Sequence, residues 1–204
     1  ALAARLASKL CHDFISPAGA IVSGLDLLDD PSAKDMRDEA MELIASSARK
    51  LADQLSFARV AFGASAAVAT FDVAELERLA RGAYAHVRAE LQWSVDLETL
   101  PKAPAQALLN LAQLAAGALP LGGLARLSAR IEGTDYVLKA EGEGPKARLH
   151  AEVREGLAGE PLSDGLAGRW VQAYFVHALV TGAGGRIEAE AGEERIALGA
   201  RLPI

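Results

Sequence analysis

Leu10-Cys11-His12-Asp13-Phe14-Ile15-Ser16-Pro17-Ala18-Gly19-Ala20-Ile21 sets a histidine beside a carboxylate, with a proline five residues after the histidine, inside a helical apolar pattern. A proline in a helix interior removes a ladder hydrogen bond and costs roughly 3 kcal/mol, so its presence here points to a functional constraint. Around it Leu2, Leu6, Leu10, Phe14, Ile21, Leu25 and Leu28 recur at helical spacing. At roughly 100° per residue they fall in one sector of a helix. His12 points away from that sector. Ser8, Ser16, Gly19 and Ser23 share its side, flanked by Cys11 and Ile15. The face around the imidazole is therefore small, lightly polar and open to the approach of another protein.

Downstream, Asp30-Pro31 reads as a helix start, with Asp30 as N-cap and Pro31 at the first helical position. The second helix follows Met36, Ala40, Leu43, Leu51, Leu55, Ala58 and Phe62 and ends near Gly63. The short connection predicts an antiparallel hairpin over residues 1–63. A lone hairpin has two apolar stripes and little to cover them. Pairing two hairpins into a four-helix bundle predicts a homodimer; a second domain packed over the hairpin of a monomer is the alternative.

Residues 64–70 lack periodicity and are small, which predicts a linker. Residues 70–204 then read as a second domain. Helices are expected over Val73 to Val87, Pro104 to Gly117 and Ala167 to Thr181, the last closed by Gly182-Ala183-Gly184-Gly185. Strands are expected at Leu91 to Leu97, Leu124 to Glu132, Tyr136 to Glu141 and Ala147 to Val153, with a loop from Leu157 to Gly165. A closing hairpin spans Arg186 to Ala191 and Arg195 to Leu202. The fold class is α+β: a helical hairpin followed by an α/β sandwich of helices on one face of a mixed sheet.

The chain has 204 residues and a formal net charge of -6, which argues against a general nucleic-acid binder. Cys11 is the single cysteine, so no intramolecular disulfide and no cysteine metal cluster are expected. With no signal-peptide core and no run of the roughly 18 apolar residues that cross a bilayer, no membrane segment is expected, and the compartment is read as a reducing cytoplasm. His86, His150 and His177 lack a second histidine or a carboxylate at metal-ligand spacing and are read as structural or surface residues.

His12-Asp13-Phe14-Ile15-Ser16-Pro17, with Ile21 after it, resembles the H-box of the histidine-kinase dimerisation domain, with Ile15 in place of the usual arginine. Leu108-Leu109-Asn110-Leu111 resembles the start of the kinase N-box. Gly184-Gly185-Arg186-Ile187 and Leu202-Pro203-Ile204 resemble the end of the kinase ATP-binding domain. The departures matter as much. The position of the second N-box asparagine, a Mg²⁺ ligand, is Leu114, and the position of the adenine-binding aspartate is Ala140. The later glycine box falls near Trp170 to Gln172 and keeps no glycine. A triphosphate needs a divalent ion and a backbone cradle to offset its charge, so a dead nucleotide site is expected.

A kinase-like chain that keeps its histidine and loses its nucleotide site is similar to the ChpT-type histidine phosphotransferases of bacterial phosphorelays. That resemblance implies a homodimer with a degenerate ATPase-like domain on each subunit. It implies His12 as phosphoacceptor, receiving a phosphoryl group from the receiver domain of a hybrid histidine kinase. The group would pass on to receivers of response regulators that control the cell cycle, a DNA-binding regulator among them. Asp13 would orient the imidazole or take its proton. Ser16, one turn on, either bonds near the phosphate or simply clears space. Ser8, Cys11, Ile15, Gly19 and Ser23 would form the landing face. No cofactor is expected on this chain, and Mg²⁺ would come from the receiver. Two other readings stay open: an ATP-using kinase with an atypical site, and a non-catalytic dimeric scaffold that binds receivers or kinases.

Overall fold

The computed structural model describes residues 2–63 and 69–204. Of the expected linker, residues 64–68 lie outside the described residues, and Thr70 opens a short strand. Helix α1, Leu2–Asp29, runs unbroken through Pro17. It packs along helix α2, Arg37–Ala61, as a hairpin. Gly24 sets how closely they approach: a Cβ there would lie 2.6 Å from Ile44 Cγ1 and 3.2 Å from the Ala40 carbonyl oxygen.

Helix α2 starts at Arg37 and not at Pro31, which corrects the expectation for Asp30. The Asp30 carboxylate accepts from the Ser32 N–H at 2.8 Å and the Ser32 hydroxyl at 2.7 Å. It therefore locks an Asx turn and caps no helix, and these two bonds hold its pKa below the usual carboxylate range. A 3-10 turn, Lys34–Met36, follows before α2 begins.

The second unit opens with strand β1, Thr70–Asp72, and helix α3, Val73–Tyr84. Strand β2, Ala89–Val95, and strand β3, Thr99–Pro101, lead into helix α4, Lys102–Gly117. Strand β4, Gly123–Glu132, and strand β5, Asp135–Glu143, form a hairpin. Helix α5, Ala151–Ala158, and helix α6, Ala167–Gly182, precede strands β6, Arg186–Gly192, and β7, Arg195–Pro203. The main sheet runs β2-β4-β5-β7-β6, parallel at β2–β4 and antiparallel elsewhere; β1 and β3 pair apart from it. Alternate residues of β7, Ile196, Leu198, Ala200 and Leu202, are buried under the helices.

The strand expected at Ala147 to Val153 is not formed. Val153 and Leu157, four residues apart, are buried on one face of a helix, and Leu149 is buried just before it. Gly159, at a left-handed φ of 76°, caps the C-terminus of α5. The expected loop thus begins after the helix, two residues later than its predicted start at Leu157.

The core belongs mostly to this second unit, and the last turns of α2 join it through Phe57, Val60 and Ala61. In α1, by contrast, the buried residues are Pro17 and Gly24. Val22, Leu25, Met41, Leu43 and Leu55 stay exposed along the hairpin.

Candidate functional site

His12 sits on the outward side of α1 with its side chain 89% exposed. Its Nδ1 lies 3.7 Å from Asp13 Oδ1, which is too long for a hydrogen bond. Asp13 is instead held by Lys9 one turn earlier, whose ammonium donates to Oδ2 at 2.5 Å. The carboxylate therefore stands beside the imidazole as a fixed charge. Ser8, Cys11, Ile15, Ser16, Gly19 and Ser23 are all exposed, Ile15 at 71%, and a Cβ added at Gly19 would meet no atom within 4 Å.

The site has a second wall that the sequence did not announce. A groove of about 600 Å³ lies between α1 and the α4–α6 side of the second unit. Arg5, Ser8, Lys9, His12 and Asp13 line it from α1, and Gln113, Leu114, Arg148, His150, Arg169 and Gln172 are among the residues facing them. His150, read from the sequence as a strand residue of structural role, precedes α5 and shares this groove with His12. Its Nδ1 accepts from the Arg169 guanidinium at 3.3 Å. Burial, then the charges of Arg169 and Arg148, lower its pKa from the ordinary histidine value, with Glu152 opposing.

What holds the groove together explains the residues at the kinase motif positions. Asn110, fully buried, donates through Nδ2 to the Ala61 carbonyl at 3.0 Å and to the Gln106 carbonyl at 2.9 Å. Gln106 donates to the carbonyls of Val60 at 3.0 Å and Gly63 at 2.8 Å. Each such bond contributes on the order of 1 kcal/mol, and those to the Val60, Ala61 and Gly63 carbonyls staple the end of α2 to α4. Phe62 adds an edge-on contact with Phe175, centroids 5.3 Å apart. On the other helix at this same open end of the hairpin, Arg5 lies 5.3 Å from the centroid of the Trp170 ring. Trp170 stacks on Tyr174 and donates to the Glu160 carbonyl at 2.8 Å. Ala140 sits fully buried between Leu127 and Leu198 in the sheet, and Leu114 is buried on α4. The hairpin is thus anchored through both of its helices at its open end, which sets His12 at the lip of the groove.

The other histidines have structural partners. His86 Nε2 meets Asp53 Oδ2 at 2.8 Å, tying α2 to the turn after α3, and His177 Nδ1 meets the Leu157 carbonyl at 2.9 Å. Among the described residues no group of three or more His, Cys, Asp or Glu is placed to hold a metal ion. Nor is any helix among them long and apolar enough to cross a membrane.

The model of the histidine phosphotransferase C-terminal domain family matches residues 73–195. The protein phosphotransferase ChpT of Brucella abortus (strain 2308) is 34% identical over 204 residues, 98% of this chain and 94% of that protein. The chain belongs to the histidine phosphotransferase family. A solved bacterial phosphotransferase superposes on this histidine phosphotransferase with a TM-score of 0.87 at 33% identity, covering 98% of this chain and 95% of that one. The fold extends to histidine kinases. The blue-light-activated histidine kinase domain of Erythrobacter litoralis gives a TM-score of 0.51 at 14% identity, covering 93% of each chain. The long N-terminal helices and the mixed sheet with its helices are therefore a kinase-like α+β architecture, and the chain is a phosphotransferase.

Proposed function

We propose that this histidine phosphotransferase relays a phosphoryl group between receiver-domain aspartates through His12, without using ATP. The observation that carries the reading is an imidazole 89% exposed on a helix whose surrounding face, Ile15 and Gly19 included, is open. In the forward step a ring nitrogen of neutral His12 attacks the phosphorus of an aspartyl phosphate in line. The N–P bond forms, the P–O bond to the aspartate breaks, and the carboxylate leaves. The outer nitrogen Nε2 is the nucleophile, because Nδ1 lies on the Asp13 side; the Nδ1 proton goes to solvent or to Asp13. The reverse step onto another receiver completes the relay. Positioning and charge neutralisation dominate such transfers, and Mg²⁺ bound by the receiver supplies much of the latter.

Loss of nucleotide binding is supported by Asn110, whose amide is committed to Ala61, Gln106 and Gln172, and by apolar Leu114 and Ala140 where charged or polar ligands are needed. A homodimeric four-helix bundle is supported by the exposed Val22, Leu25, Met41, Leu43 and Leu55 of a hairpin without its own core. The upstream partner is read as the receiver of a hybrid histidine kinase. The downstream partners are read as response-regulator receivers of a bacterial cell-cycle relay in the cytoplasm, including a DNA-binding regulator. Ser16 lies one turn from His12 on the docking face, within reach of the phosphate. Incubation with labelled ATP alone, then with a phosphorylated receiver, tests the reading. Acid-labile label acquired only from the receiver, and absent from His12→Ala, is the expected result. Label from ATP alone overturns it in favour of a kinase, and no label in either arm leaves a scaffold.

A further inference from the structure

We propose that Arg148 and Arg169 of the second unit hold the phosphoryl group once it is on His12, so that the groove stores the phosphohistidine between receipt and delivery. This rests on His12 being the phosphoacceptor, and it gives the degenerate domain a chemical task.

The charge distribution is the first ground. Four cations, Arg5, Lys9, Arg148 and Arg169, line the groove against one carboxylate, Asp13, in a chain whose formal net charge is -6. A concave surface of one sign focuses its field on an anion. Two of these cations are already engaged on α1's side, Lys9 with Asp13 and Arg5 over Trp170. Arg148 makes no salt bridge among the described residues. Arg169 has only a 3.9 Å approach to Glu152, whose Oε1 also accepts from the Leu166 N–H at 3.1 Å. The pair across the groove from His12 is therefore short of anionic charge.

The arrangement of His150 is the second ground. Because a guanidinium can only donate, its 3.3 Å contact makes Nδ1 the acceptor, and the neutral ring carries its proton on Nε2. Residue 150 therefore adds a donor, and the apolar side chains of Leu114, Leu149 and Leu166 line the same groove and strengthen charge attraction there.

The chemistry follows from how a phosphohistidine is lost. Hydrolysis forms a P–O bond to water and breaks the P–N bond, and the imidazole must take up a proton to leave. Cations around the phosphoryl oxygens and the ring disfavour that protonation. They also lower the pKa of the phosphoryl group itself. Rotation of the exposed His12 side chain out of the groove returns the group to a docked receiver.

The test uses the full chain and phosphoramidate, which phosphorylates histidine without any receiver. Loss of phosphoryl from His12 is followed at neutral pH by intact mass, and the ³¹P resonance is titrated in parallel. Arg148→Ala and Arg169→Ala should each shorten the lifetime about fivefold, an effect that shrinks at high salt, and should raise the ³¹P midpoint. Arg169→Lys should restore most of both, and Arg126→Ala, on the sheet and paired with Glu143, should change neither. Circular dichroism identifies a variant that has not folded, in which case Arg148→Ala and the salt series decide. Label on His12 that decays equally in all folded variants overturns this inference and leaves the relay intact. Absence of label from His12 in the wild type overturns both.

Discussion

Gln172 Nε2 donates to Asn110 Oδ1 across 3.2 Å and to Gln113 Oε1 at 2.6 Å, joining α6 to α4 inside the second unit. The asparagine at the kinase N-box position thus faces protein on both sides of its amide. Asn110→Ala would leave the Ala61 carbonyl and the Gln172 amide short of partners where no water reaches. Removing one partner from buried polar groups costs about 1–3 kcal/mol, and urea denaturation should show a loss at the upper end of that range. Transfer through His12 should persist in whatever fraction remains folded.

The hairpin surface predicts a change of oligomeric state. Leu25 is 48% exposed and Leu55 likewise, although each belongs to an apolar stripe. Leu25→Glu should convert a dimer to a monomer in sedimentation velocity, with helical content nearly unchanged. A wild-type monomer would remove the bundle from the account.

Docking is predicted on the free part of the α1 face. A Cβ added at Gly19 points into open space, so Gly19→Arg can be accommodated there, and Ile15→Asp removes an apolar side chain that already faces solvent. Both should leave the melting temperature within a few degrees of wild type and slow transfer from a phosphorylated receiver at least tenfold. Normal transfer would move the receiver to another surface.

The four-residue repeats of Leu2 to Leu28 and the glycine stop after α6 made those helices legible, because a long stripe of large apolar residues has one periodic solution. Val153 and Leu157 carry the same helical signal, but Arg148-Leu149-His150-Ala151-Glu152-Val153 also alternates polar and apolar residues as a strand does. At eight residues α5 is too short for the period alone to decide. The strands β1 and β3, three residues each, are formed by pairing with one another across the intervening α3 and β2, a contact that local pattern does not hold. The same reason hides the groove. His12 was readable from its neighbours in the chain, whereas Arg148 and Arg169 come to share a groove with it only once α1 is seated on Trp170.

His150 predicts a pH dependence with a definite sign. Burial and the two arginines lower its pKa, so the folded state binds a proton less readily than the unfolded chain. Its contribution to stability is present above the unfolded value of about 6.5 and is lost as pH falls through the lower folded value. An NMR titration should place the His150 midpoint below that of a model histidine, and Arg169→Ala should raise it. In unfolding experiments His150→Gln should flatten the decline in stability as pH is lowered from about 7 to 5.

The central claim is that one nitrogen of His12 carries the phosphoryl group. The most direct measurement is the position of label after brief reaction with a phosphorylated receiver, read by peptide mass mapping at alkaline pH, where phosphohistidine survives. The prediction is a single acid-labile, alkali-stable phosphate on the peptide containing His12, with none on His86, His150 or His177 and none in His12→Ala. Label that persists in His12→Ala, or that maps to another histidine, would contradict it.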